Sequence, residues 1–229
     1  SAAKIAKVSA PKLAKTVYTY NGKVQKPSVT VKDSTGKRLK AGADYTVNYP
    51  KGRKAVGRYG VQVKLKGKYK GSRTVYFTVK PKGTSISKVT GGKKKITVTW
   101  KKQTAQTTGY QIQYSTSSNF KNAKTVTVSK NRTTKKTITG LKNGKKYYVR
   151  VRTYKTVKTG HKSTKYYSTW SKSKKTGSAK KSVPKGNTVY VSPTGKKYHY
   201  IKSCAGKHPI KTTLKEAKKN HTPCKKCAM

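Results

Sequence analysis

Residues 141–154 read Leu141-Lys-Asn-Gly-Lys-Lys-Tyr147-Tyr148-Val-Arg-Val-Arg-Thr-Tyr154. Asn143-Gly144 is a turn signal, and from Tyr147 onward the chain alternates with a period of two. That period is the signature of a strand whose successive side chains point to opposite faces. Tyr147, Val149 and Val151 therefore face a core, and Tyr148, Arg150, Arg152 and Tyr154 face outward. The same alternation recurs in Val61-Gln-Val-Lys-Leu65, Val75-Tyr-Phe-Thr-Val79, Ile96-Thr-Val-Thr-Trp100 and Tyr110-Gln-Ile-Gln-Tyr114. Turn residues separate these runs at short intervals, and no helical period interrupts them before residue 203. The expected fold is all-β: two tandem β-sandwiches and a small C-terminal module.

Residues 1–11 read as an N-terminal tail and residues 12–81 as the first sandwich. Tyr18 to Tyr20 leads into Asn21-Gly22, a tight-turn signal, and Asp33-Ser-Thr-Gly36 marks another. Ala41-Gly-Ala-Asp-Tyr-Thr-Val47 is a turn followed by a strand, and Gly57-Arg-Tyr-Gly60 and Gly67-Lys-Tyr-Lys-Gly71 bracket the next one. This segment resembles the bacterial Ig-like repeats of Gram-positive surface proteins, in which a Y-x-Y-N-G start and an A/G-x-D-Y-T-V strand recur.

Residues 84–176 form the second sandwich. Trp100 ends a strand in line with Ile96 and Val98, and Leu141, Gly144 and Tyr147 precede the strand quoted above. This pattern resembles the fibronectin type III domain, with its Trp on the second strand and its L-x-x-G-x-x-Y corner. Ser168-Thr-Trp-Ser171 falls where the family has its final strand. Trp100 and Tyr147 are read as core residues, because large aromatics dominate sandwich interiors. The resemblance implies that the Tyr147 hydroxyl bonds to backbone. The outward Tyr148, Arg150, Arg152 and Tyr154 are candidate ligand-binding residues, since rings interleaved with cations suit stacking beside phosphate or sulfate. The alternative is that outward tyrosines simply cover neighbouring strands.

The charge balance narrows the function classes. The chain of 229 residues has 58 Lys and Arg against Asp33, Asp44 and Glu216, a formal net charge of +55. Salt-bridge networks and paired-carboxylate acid–base chemistry have no residues to draw on. A polyanion would relieve the self-repulsion by neutralising charge and releasing counterions. The expected partner is an anionic polymer: teichoic acid, an acidic glycan or nucleic acid. The lysines are spread along the whole chain, which argues against sequence-specific base readout. No apolar run reaches transmembrane length, and no signal peptide is present. The chain begins Ser-Ala-Ala-Lys and reads as a mature form or a fragment.

Residues 177–187 have the composition of a linker, and residues 188–229 hold all three cysteines. Cys224-Lys-Lys-Cys227 is a half-site for a tetrahedral metal, and His199 with Cys204 is the obvious second pair. His208 and His221 compete for the nitrogen position, and a Cys224–Cys227 disulfide with Cys204 free is the alternative. A β-hairpin is expected over Thr188 to Tyr200, and Thr213-Leu-Lys-Glu216 is a capping-box pattern that starts one short helix. A module of this size has too little core to fold without a staple, which favours Zn2+. Val189 to Cys227 resembles a small zinc-binding tail of bacterial secreted nucleases and surface proteins, distantly like the metal-binding domain of the Ada DNA-repair protein. The resemblance implies His199, Cys204, Cys224 and Cys227 as ligands. No nuclease portion is present, and four ligands close the coordination shell, so the zinc is expected to be structural.

The sequence thus reads as a non-enzymatic secreted or cell-surface adhesion protein that binds anionic polymers. A sequence-nonspecific nucleic-acid-binding protein and a structural spacer of a larger surface protein are the alternatives.

Overall fold

The computed structural model describes residues 7–176 and 187–227. The architecture is all-β with one short α-helix. The first segment contains β1 (Lys12–Leu13), β2 (Val17–Thr19), β3 (Val29–Thr30), β4 (Tyr45–Asn48), β5 (Gly57–Leu65) and β6 (Ser72–Lys80). β2, β6, β5 and β4 form one sheet in that order, and β1 pairs with β3 in another. β5 and β6 pair antiparallel, with Val61 opposite Val75. β2 instead runs parallel to β6, with Tyr18 opposite Val79. Alternation puts Val61, Val63 and Leu65 inside, against Val31, Leu39, Tyr45, Phe77 and Val79. Asn21-Gly22 makes a local turn, in which the Asn21 carboxamide oxygen accepts from Lys23 N at 2.9 Å, while β2 before it pairs with β6. The tail is engaged earlier than expected, because Ser9 N donates to Lys32 O at 2.8 Å and Ser34 N donates to Lys7 O at 3.1 Å.

The second segment contains β7 (Ile86–Gly92), β8 (Lys95–Trp100), β9 (Gly109–Ser115), β10 (Lys124–Val128), β11 (Lys135–Ile138), β12 (Tyr148–Thr159), β13 (Lys162–Tyr167) and β14 (Lys174–Lys175). One sheet orders β11-β8-β7; the facing one orders β10-β9-β12-β13, with β14 also on β12. Their inner faces meet in a core of Ile96, Val98, Trp100, Tyr110, Ile112, Tyr147, Val149 and Val151. The Trp100 and Tyr110 rings lie 5.2 Å apart. The Tyr147 hydroxyl accepts the backbone N–H of Lys142 at 3.1 Å, and Gly144 takes a φ of 69° to make the corner. The chain therefore turns where Leu141 to Tyr147 requires it.

Ser168 to Ser171 is not the final strand, which is formed by Lys174–Lys175. The run lies beside β12 by mixed bonding. Ser168 N donates to Thr153 O at 3.1 Å and Ser171 N to Val151 O at 2.8 Å. In return the Ser168 and Ser171 hydroxyls accept from Thr153 N and Val151 N, each at 3.0 Å. The serine side chains replace carbonyls in the ladder, and Trp170 between them lies against the β12 arginines.

The two segments touch directly. Val56 N donates to the Gln106 carboxamide at 3.1 Å, and the Thr153 hydroxyl to Lys82 O at 2.8 Å. The expected linker lies outside the described residues except for Asn187. Beyond it come β15 (Thr188–Val191), β16 (Lys197–His199), a 3-10 turn (Lys202–Ala205), β17 (Ile210–Thr213), α1 (Leu214–Asn220) and β18 (Thr222–Pro223). The expected hairpin is β15 with β16, widened to four strands by β17 and β18. Among the described residues, Val189, Val191, Tyr198 and Ala217 form its buried apolar cluster, with Tyr200 and Leu214 packed against it. Half of the capping box forms: Glu216 N donates to the Thr213 hydroxyl at 3.2 Å, while the Glu216 carboxylate pairs with Lys219 at 3.0 Å.

Candidate metal centre and cationic face

Pairing between strands assembles the cysteine cluster. β16 ends in His199, and β18 leads into Cys224. The two strands are parallel, with Tyr198 opposite Pro223, so both ligands emerge at the same end of the sheet. Cys224 N donating to Tyr198 O at 3.0 Å extends that pairing by one residue. The 3-10 turn that follows β16 folds back and presents Cys204. Cys227 N donates to Cys224 O at 3.3 Å, closing the turn that brings the second thiol of the C-x-x-C unit alongside the first.

One ligand atom from each of His199, Cys204, Cys224 and Cys227 lies within 4.8 Å of all the others. The Cys204 and Cys224 sulfurs are 3.9 Å apart, and Cys227 Sγ is 3.5 Å from His199 Nδ1. A tetrahedral ion with metal–sulfur bonds of about 2.3 Å and metal–nitrogen bonds of about 2.1 Å separates two sulfurs by about 3.8 Å, and sulfur from nitrogen by about 3.6 Å. The four side chains fit such a cage. All three cysteines are free thiols, so the Cys224–Cys227 disulfide is not formed. His208 is exposed and outside the cluster. His221 is also outside it, with its Nδ1 buried and without a hydrogen-bond partner.

The electrostatics suit metal binding. Burial raises the Cys224 thiol, but the backbone N–H groups of Lys226 and Cys227 and the adjacent thiols outweigh it and hold the group below its ordinary value. The Lys226 N–H lies 3.4 Å from the Cys224 sulfur. Cys204 is pushed up to about 11 by burial and by the neighbouring thiols. A cation in the middle reverses that repulsion, since a coordinating thiol is deprotonated. Burial and the Lys197 ammonium lower His199, which keeps the imidazole neutral and able to ligate.

On the second segment, Arg150 and Arg152 are half-buried on the outer face of β12, as their register requires. They build a stack. Arg150 lies over the rings of Phe120 (4.1 Å) and Trp170 (4.9 Å), and Arg152 over Trp170 (4.3 Å) and Tyr167 (4.0 Å). Five groups thus alternate ring and guanidinium, from Phe120 to Tyr167. Arg150 Nε donates to the Gln113 carboxamide at 2.7 Å, while Arg152 donates to Gln111 through Nε at 3.0 Å and Nη2 at 2.7 Å. Burial holds both guanidiniums below the ordinary arginine range, and for Arg152 the nearby Arg150 adds to this against the opposing pull of Tyr167.

Tyr148 is half-exposed, but Tyr154 corrects the outward reading: it is only 3% exposed. Its cross-strand partner is Gly109, and its ring lies over the space that a side chain would take there. Tyr167 and Lys165 cover it, the ring centroids 6.2 Å apart and the ammonium 5.3 Å from the ring. Alternation assigned the face correctly but could not show that a glycine leaves room for the ring to lie flat. Phe120 and Trp170 were absent from the expected site. The signal available for Trp170 was its position between two serines in Ser168-Thr-Trp-Ser171.

The carboxylates are used locally. Asp33 accepts from Thr35 N at 2.9 Å and Lys37 N at 3.0 Å, and Asp44 accepts from Lys40 N at 2.8 Å. Glu216 caps α1. None lies in residues 84–176, so the paired arginines have no carboxylate partner in their own segment.

Among known proteins, the family model of the fibronectin type III domain matches residues 79–169. None of the curated proteins compared with the chain matches it. Among solved structures, three consecutive domains of titin align at 17% identity and a TM-score of 0.33, covering 76% of this chain and 66% of that one. Domains FN1 to FN3 of chicken contactin align at 18% identity and a TM-score of 0.33, covering 74% of this chain and 64% of that one. The chain spans just under two thirds of the length of each. Residues 79–169 thus match the fibronectin type III domain, and a compact cysteine–histidine cluster follows them.

Proposed function

We propose that the protein is a non-enzymatic, secreted or cell-surface binding protein that adheres to anionic polymers through its sandwich segments. The observation that carries this reading is the pair Arg150 and Arg152. Their faces stack on rings, and their Nε groups, with Arg152 Nη2, bond to glutamines, which leaves the remaining Nη groups as donors with no carboxylate in the segment. A guanidinium edge of fixed orientation matches sulfate, phosphate or carboxylate oxygens. The net charge of +55 supplies the long-range attraction. Fibronectin type III domains also occur in the contactin structure above.

The module at residues 188–229 is read as a Zn2+-stapled unit, because three sulfurs and one nitrogen in tetrahedral spacing select zinc over harder cations. Elemental analysis is expected to return one zinc per chain; a metal-free preparation that keeps the fold of this module overturns the zinc assignment.

Binding to heparin, teichoic acid and duplex DNA, titrated with salt, tests the polymer reading. Affinity for the glycan and wall polymers is expected to fall steeply with salt. A marked preference for DNA over glycans of equal charge supports the nucleic-acid alternative. No binding to any of the three at moderate salt leaves the spacer.

A further inference from the structure

The start of the first sandwich carries a feature that neither the metal cluster nor the arginine stack uses. Lys15, Tyr18, Tyr20 and Asn21 face Lys82 and Gln103 across an open cleft of about 760 Å³ at the junction of the two segments. Clefts of a few hundred to about a thousand Å³ between domains are where small ligands are commonly held.

Both walls are anchored. On one side, Thr19 pairs with Lys80, and Tyr20 N donates to Lys80 O at 2.8 Å. The Tyr18 ring packs edge-on against Phe77 at 5.6 Å. On the other side, Gln103 N donates to the Tyr110 hydroxyl at 2.8 Å, and that hydroxyl shares its one proton between Asn131 O at 2.7 Å and Gln103 O at 2.9 Å. Tyr110 is fully buried, so the Gln103 wall is tied to the core. The Thr153 bond to Lys82 O fixes the floor between the segments.

The lining selects the ligand. Tyr18 and Tyr20 are half-buried, each leaving part of its ring open. Lys15 Nζ sits 4.8 Å from the Tyr18 ring centroid, and Lys82 adds a second ammonium. No carboxylate lines the cleft. The Asn21 carboxamide oxygen already accepts from Lys23 N and Gln25 Nε2, each at 2.9 Å, so what it offers the cleft is its N–H2 donor. Aromatic faces suit the C–H faces of a pyranose, amide groups suit its hydroxyls, and two ammoniums demand a negative substituent. A neutral sugar leaves the ammoniums unmatched, and an isolated inorganic anion leaves the rings unused.

We propose that this cleft is a subsite for one anionic sugar residue of an acidic glycan chain. The proposal rests on the polyanion reading above and adds a place and a ligand class to it. The test uses the full chain, a sulfated heparin disaccharide, its desulfated counterpart and long-chain heparin. The sulfated disaccharide is expected to bind the native chain, with the desulfated form bound at least tenfold more weakly. The Lys15→Gln/Lys82→Gln double variant, which leaves Tyr18 on Phe77, is expected to weaken the disaccharide about tenfold, as two partly exposed ion pairs would. Equal disaccharide affinity in the lysine variant overturns the cleft. So does absence of disaccharide binding by a native chain that still binds long heparin, which leaves the polymer reading standing. Absence of binding to both removes the two together.

Discussion

Gly109 and Tyr154 show how one missing side chain positions a large one. A Cβ at Gly109 would collide with the Val128 carbonyl and come within 3.0 Å of the Tyr154 ring. Gly109→Ala is expected to destabilise the second sandwich by about 1–3 kcal/mol, as overpacking does, read as a lower urea midpoint at unchanged slope. Tyr147→Phe keeps the packing and loses only the acceptor for Lys142 N–H, and it is expected to cost about 1 kcal/mol by the same measurement. Asp33 works through charge. The Thr35 hydroxyl, helped by backbone N–H groups from Thr35 and Lys37 and by the Tyr69 hydroxyl, holds its carboxyl below the ordinary range against the opposing effect of burial. A depressed carboxyl stabilises the fold above its unfolded pKa, and that stability is lost as pH falls through the folded one. Asp33→Asn is therefore expected to flatten the acid limb of the stability profile of the first sandwich, measured by melting at pH 2 to 6.

At the scale of elements, the paired β12 arginines and the Ser168 to Ser171 run hold one another. Trp170→Ala removes the ring shared by Arg150 and Arg152, and is expected to cost about 1–2 kcal/mol of stability. It is also expected to weaken heparin binding, because the guanidinium edges lose their orientation. Hydrogen exchange should rise at Val151 and Thr153, whose amides bond to the two serines. Alternation along residues 147–154 was enough to read which side of β12 is core. It could not show that the final strand would begin only at Lys174, because serine hydroxyls standing in for carbonyls leave no periodic trace. The parallel placement of β2 was equally hidden, since Asn21-Gly22 signals a turn but not the partner of the strand before it. In the C-terminal module, the spacing of cysteines and the position of His199 named the cluster. What spacing could not supply was the parallel β16–β18 pair that brings the two ends together.

Across the whole molecule, cohesion comes from different sources in different places. The sandwiches bury large apolar clusters, whereas among the described residues the C-terminal module buries four residues in its apolar cluster. Chelation is therefore expected to unfold residues 188–227 while leaving the sandwich melting transition in place, resolved as two separate calorimetric events. Acid should do the same by protonating the thiolates. Among the described residues, no helix is long and apolar enough to cross a membrane. The parallel register of β2 and β6 has a mechanical consequence. These strands lie near the two ends of the first sandwich and run side by side at Val17–Thr78, Tyr18–Val79 and Thr19–Lys80. Tension applied at those ends drags the two strands in opposite directions along their own axes. The bonds between them are then loaded in shear and must fail together, instead of opening one by one as in a zipper. In single-molecule pulling the first sandwich should resist until one abrupt rupture, a property suited to a tether under flow.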